Sequence, residues 1–598
     1  MTADQKDTLD IAAQWLAEFE RALSAAAPAS LQNMFTPDCY WRDVLALTWN
    51  LETLHGHGPV GGEIWSRNRT VAVAGMELDR TAPPPEMVDR VGRKCVEVFF
   101  RFETSVGRGR GIARLVPDET ASQTWRAWTL LTSLEELTGH EETTGENRPV
   151  GQSYSRDFQG PNWLDKRIAS KAYADRDPTV LIVGGGQAGL TIAARLTQLG
   201  VDALIVDRHE RIGDNWRKRY HALTLHNQVH VNHLPYMPFP PNWPVYIPKD
   251  KLANWFEHYA EAMELNFWTG TELVDASFDG DRKTWSAILR LADGDTRTLS
   301  PKHIVMATGV SGIPNMPDLT GLDAFDGEVI HSSQYQDGED WNGKSAIVVG
   351  TGNSGHDVAQ DLASSGAAVT MVQRCPTYIV SIEPSAQLPY VLYDGSRSLE
   401  NTDLIALSMA MPLMREAHIN YAVKASEYDA ELLSNLEGIG FKLDAPEGHA
   451  GWQFKYLTRG GGYYFNVGCS DMLIEGKIDL IQASNIETFT EAGLKQSNGA
   501  EIKADLIVLA TGYQPQEKLV EQLFGAEVKD RVGPIWGLGD QLELRNMYCK
   551  TGQPGLWFIE GSFAQCRINS KYLALQIKAC EEGLIPLEKT TSEELELA

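Results

Sequence analysis

No two of the seven cysteines in this 598-residue chain form a CxxC pair or show a metal-type spacing. Cys39, Cys95, Cys375, Cys469, Cys549, Cys566 and Cys580 are scattered and odd in number, which argues against a redox dithiol and a structural zinc site and favours a reducing compartment. Long apolar runs are also missing. No stretch approaches the ~18 uninterrupted apolar residues of a membrane span, and the polar start from Met1 to Asp10 lacks a signal core, so the expected location is cytoplasmic. Basic charge is in deficit, with 53 Lys and Arg against 80 Asp and Glu and a net charge of -27. Nucleic acids and anionic membranes are therefore disfavoured as partners. The segment after Leu587, acidic and rich in threonine, reads as a frayed end.

What the chain does contain is one glycine device used twice, at Gly184-Gly185-Gly186-Gln187-Ala188-Gly189 and at Gly350-Thr351-Gly352-Asn353-Ser354-Gly355. Each copy follows an apolar β-branched run, Thr179 to Val183 and Ser345 to Val349, and each leads into an alanine-bearing helical stretch. Strand, turn and helix in that order form a dinucleotide cradle. Glycine permits the tight turn, the approach of backbone to pyrophosphate and the packing of helix on strand, while the helix N-terminus receives the phosphates. Two cradles predict two dinucleotides and a redox enzyme.

The tips of the following strands separate the two ligands by charge. Asp207 ends the first, about 20 residues past its motif, where a carboxylate accepts hydrogen bonds from ribose hydroxyls, which suits FAD. The second ends in Val372-Gln373-Arg374, with no acid, and a guanidinium there pairs bidentately with a 2′-phosphate. The expected second ligand is NADPH.

The fold expected is α/β: two Rossmann-type dinucleotide-binding domains, the NADPH one inserted in the FAD one, plus an N-terminal α+β domain. Residues 1–140 show a helix from Thr8 to Ala27, with Ile11, Trp15, Leu16, Phe19 and Leu23 at helical spacing, then alternating segments at Lys94 to Phe102 and Thr124 to Leu131. Residues 141–177 are charged and glycine-bearing, as a linker is. The FAD domain is expected over 178–342, the NADPH domain over 343–497, and the second part of the FAD domain over 498–598. That return is read from two apolar runs ending in glycine turns, Asp505 to Tyr513 and Gly555 to Gly561.

Between the cradles, Phe325-Asp326-Gly327-Glu328-Val329-Ile330-His331-Ser332-Ser333-Gln334-Tyr335 matches the FxGxxxHxxx[YF] signature of flavin-containing monooxygenases. Gly213 to Arg217, Leu234 to Pro240, Ala307-Thr308-Gly309 and Leu509 to Tyr513 also resemble that family's landmarks, in its order. The resemblance covers about Pro178 to Ala579 and looks closest to the YUCCA-type branch between His331 and Arg374. Residues 1–140 lie outside it, and Phe35 to Asp43 there resembles the entry to the cone-shaped fold of SnoaL-like, nuclear-transport-factor-like domains. In that family the cone can bind or isomerise small molecules, but Asp43 and His55 here read equally as surface or capping residues and no site is evident, so the expected role is accessory or dimerising, with a homodimer as one outcome.

Carried over residue by residue, the resemblance implies FAD on Gly184, Gly186, Gln187, Ala188, Gly189, Asp207, Trp216, Gly309 and Gly561, and NADPH on Gly350, Gly352, Asn353, Ser354, Gly355 and Arg374. No metal is implied. Tyr335-Gln336 departs from the Trp-containing signature of Baeyer-Villiger enzymes, and the asparagine that family members place above the flavin has only His226 and Asn227 as candidate catalytic matches. His331 reads as structural. The resemblance further implies that NADPH reduces the flavin, that O2 adds to form a flavin hydroperoxide, and that one oxygen passes to a small organic molecule by N- or S-oxygenation or by oxidative decarboxylation of an aryl-2-oxo acid. The missing nucleophile triad is in keeping with cofactor-borne chemistry. Baeyer-Villiger oxygenation of a ketone, an NADPH oxidase, and a flavoprotein binding module with an N-terminal specificity domain are the alternatives.

Overall fold

The computed structural model describes residues 3–118, 124–150, 158–310, 312–444, 450–539 and 542–589. The end read as frayed lies mostly outside them. The seven cysteines are free, no helix of the described residues is long and apolar enough to cross a membrane, and no metal-ligand cluster occurs among them.

The first unit is a seven-stranded sheet of β1 (Phe35–Val44), β2 (Leu51–His55), β3 (Ala74–Leu78), β4 (Glu86–Arg90), β5 (Arg93–Glu103), β6 (Gly107–Pro117) and β7 (Trp125–Leu137), in the order β2-β1-β7-β6-β5-β3 with β4 also on β5. Side chains alternate across such strands. Val96, Val98, Phe100 and Phe102 of β5 fill the core beneath the helix Ala3–Leu23, whose Trp15, Leu16 and Phe19 are buried. The rings of Phe100 and Phe102 lie where any side chain at Gly111 or Gly109 of β6 would stand. The opposite face carries Glu97, Arg110 and Arg114. Arg114 is fully buried and paired with Glu97, because the rest of the chain covers this polar face.

Residues 141–177, expected to be a linker, contain the helix Trp163–Ala172, started by a reciprocal capping box between Asn162 and Asp165. It packs near the strand Asn266–Trp268 through Arg167, which donates to Asn266.

The first nucleotide sheet is built from β8 (Val180–Val183), β9 (Ala203–Val206), β10 (Asn266–Trp268), β14 (His303–Met306) and β25 (Leu556–Phe558), all parallel, in the order β10-β9-β8-β14-β25. An antiparallel flap, β11 (Glu272–Asp279), β12 (Thr284–Arg290) and β13 (Thr296–Leu299), sits beside it. The second nucleotide sheet is built from β15 (Glu328–His331), β16 (Ser345–Val349), β17 (Ala368–Gln373), β20 (Ile478–Gln482) and β24 (Leu506–Leu509), also parallel, in the order β15-β24-β16-β17-β20. A two-stranded ribbon, β18 (Tyr378–Ser381) with β19 (Tyr463–Asn466), and a flap of β21 (Ile486–Thr490), β22 (Gly493–Gln496) and β23 (Glu501–Lys503) complete this unit.

Two expected assignments need correction. The run Asp505 to Tyr513 is expected in the returning FAD domain, but β24 pairs on both sides within the second sheet, between β15 and β16. The signature segment from Phe325, expected in the first part of the FAD domain, contributes β15 to that same sheet. The physical reason is a repeat at the level of pairing: β24 stands beside β16 as β14 stands beside β8. Linear order hides it, since some 150 residues separate β16 from its neighbour.

Candidate active site

Both glycine turns leave the C-terminal end of a central parallel strand and have the same construction. Gly184 has φ +109° and Gly350 φ +125°, in the left-handed region that side chains resist. A Cβ on Gly184 would lie 2.5 Å from the Ala307 carbonyl oxygen, and one on Gly350 would lie 2.3 Å from that of Ala510. So each Ala-Thr-Gly segment, Ala307 to Gly309 and Ala510 to Gly512, is the wall against which a glycine turn packs. Gly189 and Gly355 close the turns, with the carbonyls of Gly184 and Gly350 about where their side chains would be.

The helices that follow, Gln187–Gln198 and Asn353–Ser364, begin at Gly186 and Gly352, with no side-chain cap and no acid in the first turn. Uncapped N-termini of two twelve-residue helices leave backbone N–H groups for an anion. A Cβ on Gly352 would meet only the Tyr463 carbonyl, at 3.9 Å, and one on Gly186 only the amide end of Asn215, at 3.0 Å. No backbone atom crowds the Gly186 position, and only one distant carbonyl faces Gly352.

Around the first turn the other expected residues converge. Gln187 donates to the Gly561 carbonyl at 3.2 Å, linking the turn to the end of β25. Ala188 is buried under the helix start, and Gly309, with φ +76°, follows β14 with nothing crowding it. Trp216 tilts against Phe563, the first residue of the helix after Gly561, and its buried indole N–H has no partner among the described residues. Asp207 ends β9: its Oδ2 accepts from the Gly185 N–H at 2.7 Å and its Oδ1 from the His209 N–H at 2.8 Å. Burial raises its pKa, but these bonds and His209 outweigh that, so the carboxylate sits below its ordinary range and stays charged.

Around the second turn, Asn353 accepts from the Phe465 N–H at 3.0 Å, fixing the helix start on β19, and Ser354 is half-buried in the first turn. Gln373 is buried and bonds both the N–H and the carbonyl of Lys442 at 2.8 Å. That fixes the strand end and leaves Arg374 exposed, with no hydrogen bond or ion pair among the described residues.

The two catalytic candidates lie beside the helix that follows the second cradle and the strand β19. His226 Nε2 is 3.7 Å from Asp357 Oδ2, and its ring stands edge-on to Phe465. Asn227 donates to the Tyr390 hydroxyl at 3.2 Å. Asp357, on the helix after the second turn, also accepts from the Tyr220 hydroxyl; burial raises its pKa, which His226 and Tyr220 oppose. Neither Asp357 nor Tyr390 is among the residues expected from sequence. Asp357 is within reach of that reasoning, five residues after Gly352 on the same helix, but Tyr390 is 163 residues from Asn227 and no local signal joins them. His331 is buried, with Nδ1 on the Ser333 hydroxyl and Nε2 on the Gly512 carbonyl, both at 2.9 Å, which occupies both ring nitrogens.

Glu560, just before Gly561, carries no sequence signal either. Gln516 donates to one carboxyl oxygen and to the Gly309 carbonyl, bridging the ends of β14 and β25, while the other carboxyl oxygen is buried without a partner among the described residues. Burial pushes the pKa up to about 8, opposed by Gln516 and reinforced by Glu517. The unfolded chain releases this proton near the ordinary 4.5 and the folded chain holds it to about 8. The stabilisation is therefore whole below the lower value and lost as the pH rises through the upper one. Glu560→Gln should flatten the fall of the thermal midpoint between about pH 5 and about pH 8.5. Parallel curves for the variant and the parent would show that Glu560 ionises normally.

Two parallel sheets, each with a glycine cradle at its strand ends and an uncapped helix behind it, define an oxidoreductase of the two-dinucleotide class. A family model described as pyridine nucleotide-disulphide oxidoreductase matches residues 181–393. The indole-3-pyruvate monooxygenase YUCCA1 of Oryza sativa subsp. japonica is 32% identical over 352 residues, 59% of this chain and 80% of that protein. The probable indole-3-pyruvate monooxygenase YUCCA4 of Arabidopsis thaliana is 31% identical over 56% of this chain and 76% of that protein. Among solved structures, cyclohexanone monooxygenase from Rhodococcus sp. Phi1 bound to NADP+ shares the fold, with a TM-score of 0.51 at 19% identity over 68% of this chain and 85% of that one. The chain belongs to the flavin monooxygenase family, whose members use FAD and NADPH.

Proposed function

We propose that FAD is held on the Gly184–Gly189 turn and NADPH on the Gly350–Gly355 turn, and that the enzyme oxygenates a small organic acceptor. The observation that carries this reading is the pair of uncapped helix starts, one followed by a charged carboxylate at Asp207 and the other by a guanidinium at Arg374 that has no partner among the described residues. Asp207 would take the ribose of FAD, Gln187 and Gly561 would border its phosphates and ribityl chain, and Arg374 would meet the 2′-phosphate of NADPH. When bound, the flavin accepts hydride from NADPH and activates O2.

The chain's own groups orient and exclude water. Asn227 donates to the Tyr390 hydroxyl, and the His226 ring stands beside Asp357 on the helix that follows the second cradle. The acceptor proposed is an aryl-2-oxo acid, in keeping with the relatives named indole-3-pyruvate monooxygenases. The balance is RCOCOO⁻ + O2 + NADPH + H⁺ → RCOO⁻ + CO2 + NADP⁺ + H2O. Labelled O2 should place one atom in the shortened acid. An acceptor screen in which sulfides or amines gain the labelled atom and aryl-2-oxo acids do not would select N- or S-oxygenation. If all NADPH appeared as hydrogen peroxide with every acceptor, the enzyme would be an oxidase.

A further inference from the structure

The first unit's polar sheet face, which no glycine motif or signature reaches, is joined to the nucleotide units by arginines. Arg42 of β1, almost fully buried, makes a two-pronged pair with Glu543, Nε to Oε1 at 2.8 Å and Nη2 to Oε2 at 2.7 Å. Its Nη1 donates to the Leu407 carbonyl at 2.6 Å, and Thr53 adds a third bond to Glu543 at 2.9 Å. Beside it Arg114 donates to the Ser408 hydroxyl at 2.7 Å and Arg110 to Asn401 at 2.6 Å. One arginine thus grips two separate segments, the helix Leu399–Leu407, which packs between β6 and the helix Phe563–Glu581, and the loop bearing Glu543.

Both segments end on the same part of the FAD unit. On the helix Leu399–Leu407, Asp403 forms a two-pronged pair with Arg567, at 2.8 and 2.7 Å, and Arg567 also holds the carbonyls of Val231 and His233. The Glu543 loop folds back on itself through the backbone bonds of Trp536 with Arg545 and of Arg545 with Gly537. At its other end the Trp536 indole donates to the Tyr456 carbonyl and packs edge-on to the Tyr456 ring. The Tyr456 hydroxyl donates to Gln565, which takes part in capping the helix that starts just after Gly561. Arg567 and Gln565 lie in the first turn and a half of that helix.

We infer that Arg42 is a positioning residue: through Leu407 and Glu543 the N-terminal unit braces the helix Leu399–Leu407 and the Glu543 loop against the helix start beside Gly561, and so sets how tightly reduction is coupled to oxygen transfer. This rests on the oxygenase reading above. Coupled turnover gives one oxygenated product per NADPH, whereas leakage follows O2 + NADPH + H⁺ → H2O2 + NADP⁺. A charge-assisted fork supported by further hydrogen bonds is a fixed contact; a misplacement of about 1 Å can slow a positioned reaction on the order of a hundredfold, and a site that no longer excludes water lets a reactive intermediate decay by side reaction.

The test uses the FAD-loaded full chain. Arg42→Met and Glu543→Gln should each raise hydrogen peroxide formed per NADPH about three- to tenfold while NADPH oxidation continues. The double variant should be no worse than the worse single one, because both remove the same contact. Amide hydrogen exchange, measured with and without NADP+, should quicken in residues 399–407 and 536–539 in both variants. Exchange that changes only within residues 35–55, with an unchanged peroxide ratio, would overturn the inference. Should Arg42→Met not fold, Glu543→Gln carries the same comparison from the other side of the contact, and Thr53→Val from the same side. If the parent itself forms only peroxide, the oxygenase reading fails, and quickened exchange at 399–407 still decides the brace.

Discussion

Gly184→Val should give no folded flavoprotein. The residue has φ +109° and its Cβ position lies 2.5 Å from the Ala307 carbonyl oxygen, a backbone atom of the neighbouring parallel strand end that cannot swing away. The left-handed conformation alone costs a branched side chain of order 1–3 kcal/mol, and the contact forces β8 away from β14 in the middle of the sheet. From sequence, a side chain at either Gly184 or Gly186 is expected to take the room needed by pyrophosphate. The structure separates the two positions. At Gly186 a methyl group faces only the amide end of Asn215, a flexible partner, so Gly186→Ala should fold and lose FAD affinity instead. Far-ultraviolet circular dichroism together with flavin absorbance per chain distinguishes the outcomes: the first variant should lose both signals and the second only the flavin. A Gly184→Val protein purified yellow at full stoichiometry would refute the packing argument.

The parts of this molecule legible in its sequence are those with local rules. A strand, a glycine turn and a helix occupy about twenty consecutive residues, so both cradles, Asp207 and Arg374 can be placed from residue order alone. Alternation in Lys94 to Phe102 likewise announces a sheet strand with one apolar face. Its other face is unreadable, because Glu97 and Arg114 are buried by helices some three hundred residues away, and polar residues on a strand ordinarily face water. The same limit explains the misplaced strand Leu506–Leu509. An apolar run announces burial, but which sheet takes it is decided by a partner strand far along the chain. The surroundings of His226 and Asn227 escape for that reason as well: the two stand out as odd polar residues, whereas the Asp357 and Tyr390 that give them geometry come from other elements.

Arg374→Ala should raise the Michaelis constant for NADPH by about ten- to a hundredfold and leave that for NADH nearly unchanged, a loss on the order of 1.5–3 kcal/mol for one charge-assisted pair. The geometry supports a dedicated role. Gln373, immediately before it, is fully buried and bonded on both sides to Lys442, so the strand tip is rigid, and the guanidinium that follows is exposed with no protein partner among the described residues. A surface arginine with no task would make little difference to either coenzyme. Arg374→Lys adds a second reading, since an ammonium keeps the charge but loses the fork that matches a phosphate, and it should fall between the parent and the alanine variant for NADPH alone. The preference for NADPH should also weaken with added salt, because the pair is exposed and screened. Equal losses for both coenzymes would remove the 2′-phosphate from Arg374 and place it elsewhere on the rim of the second cradle.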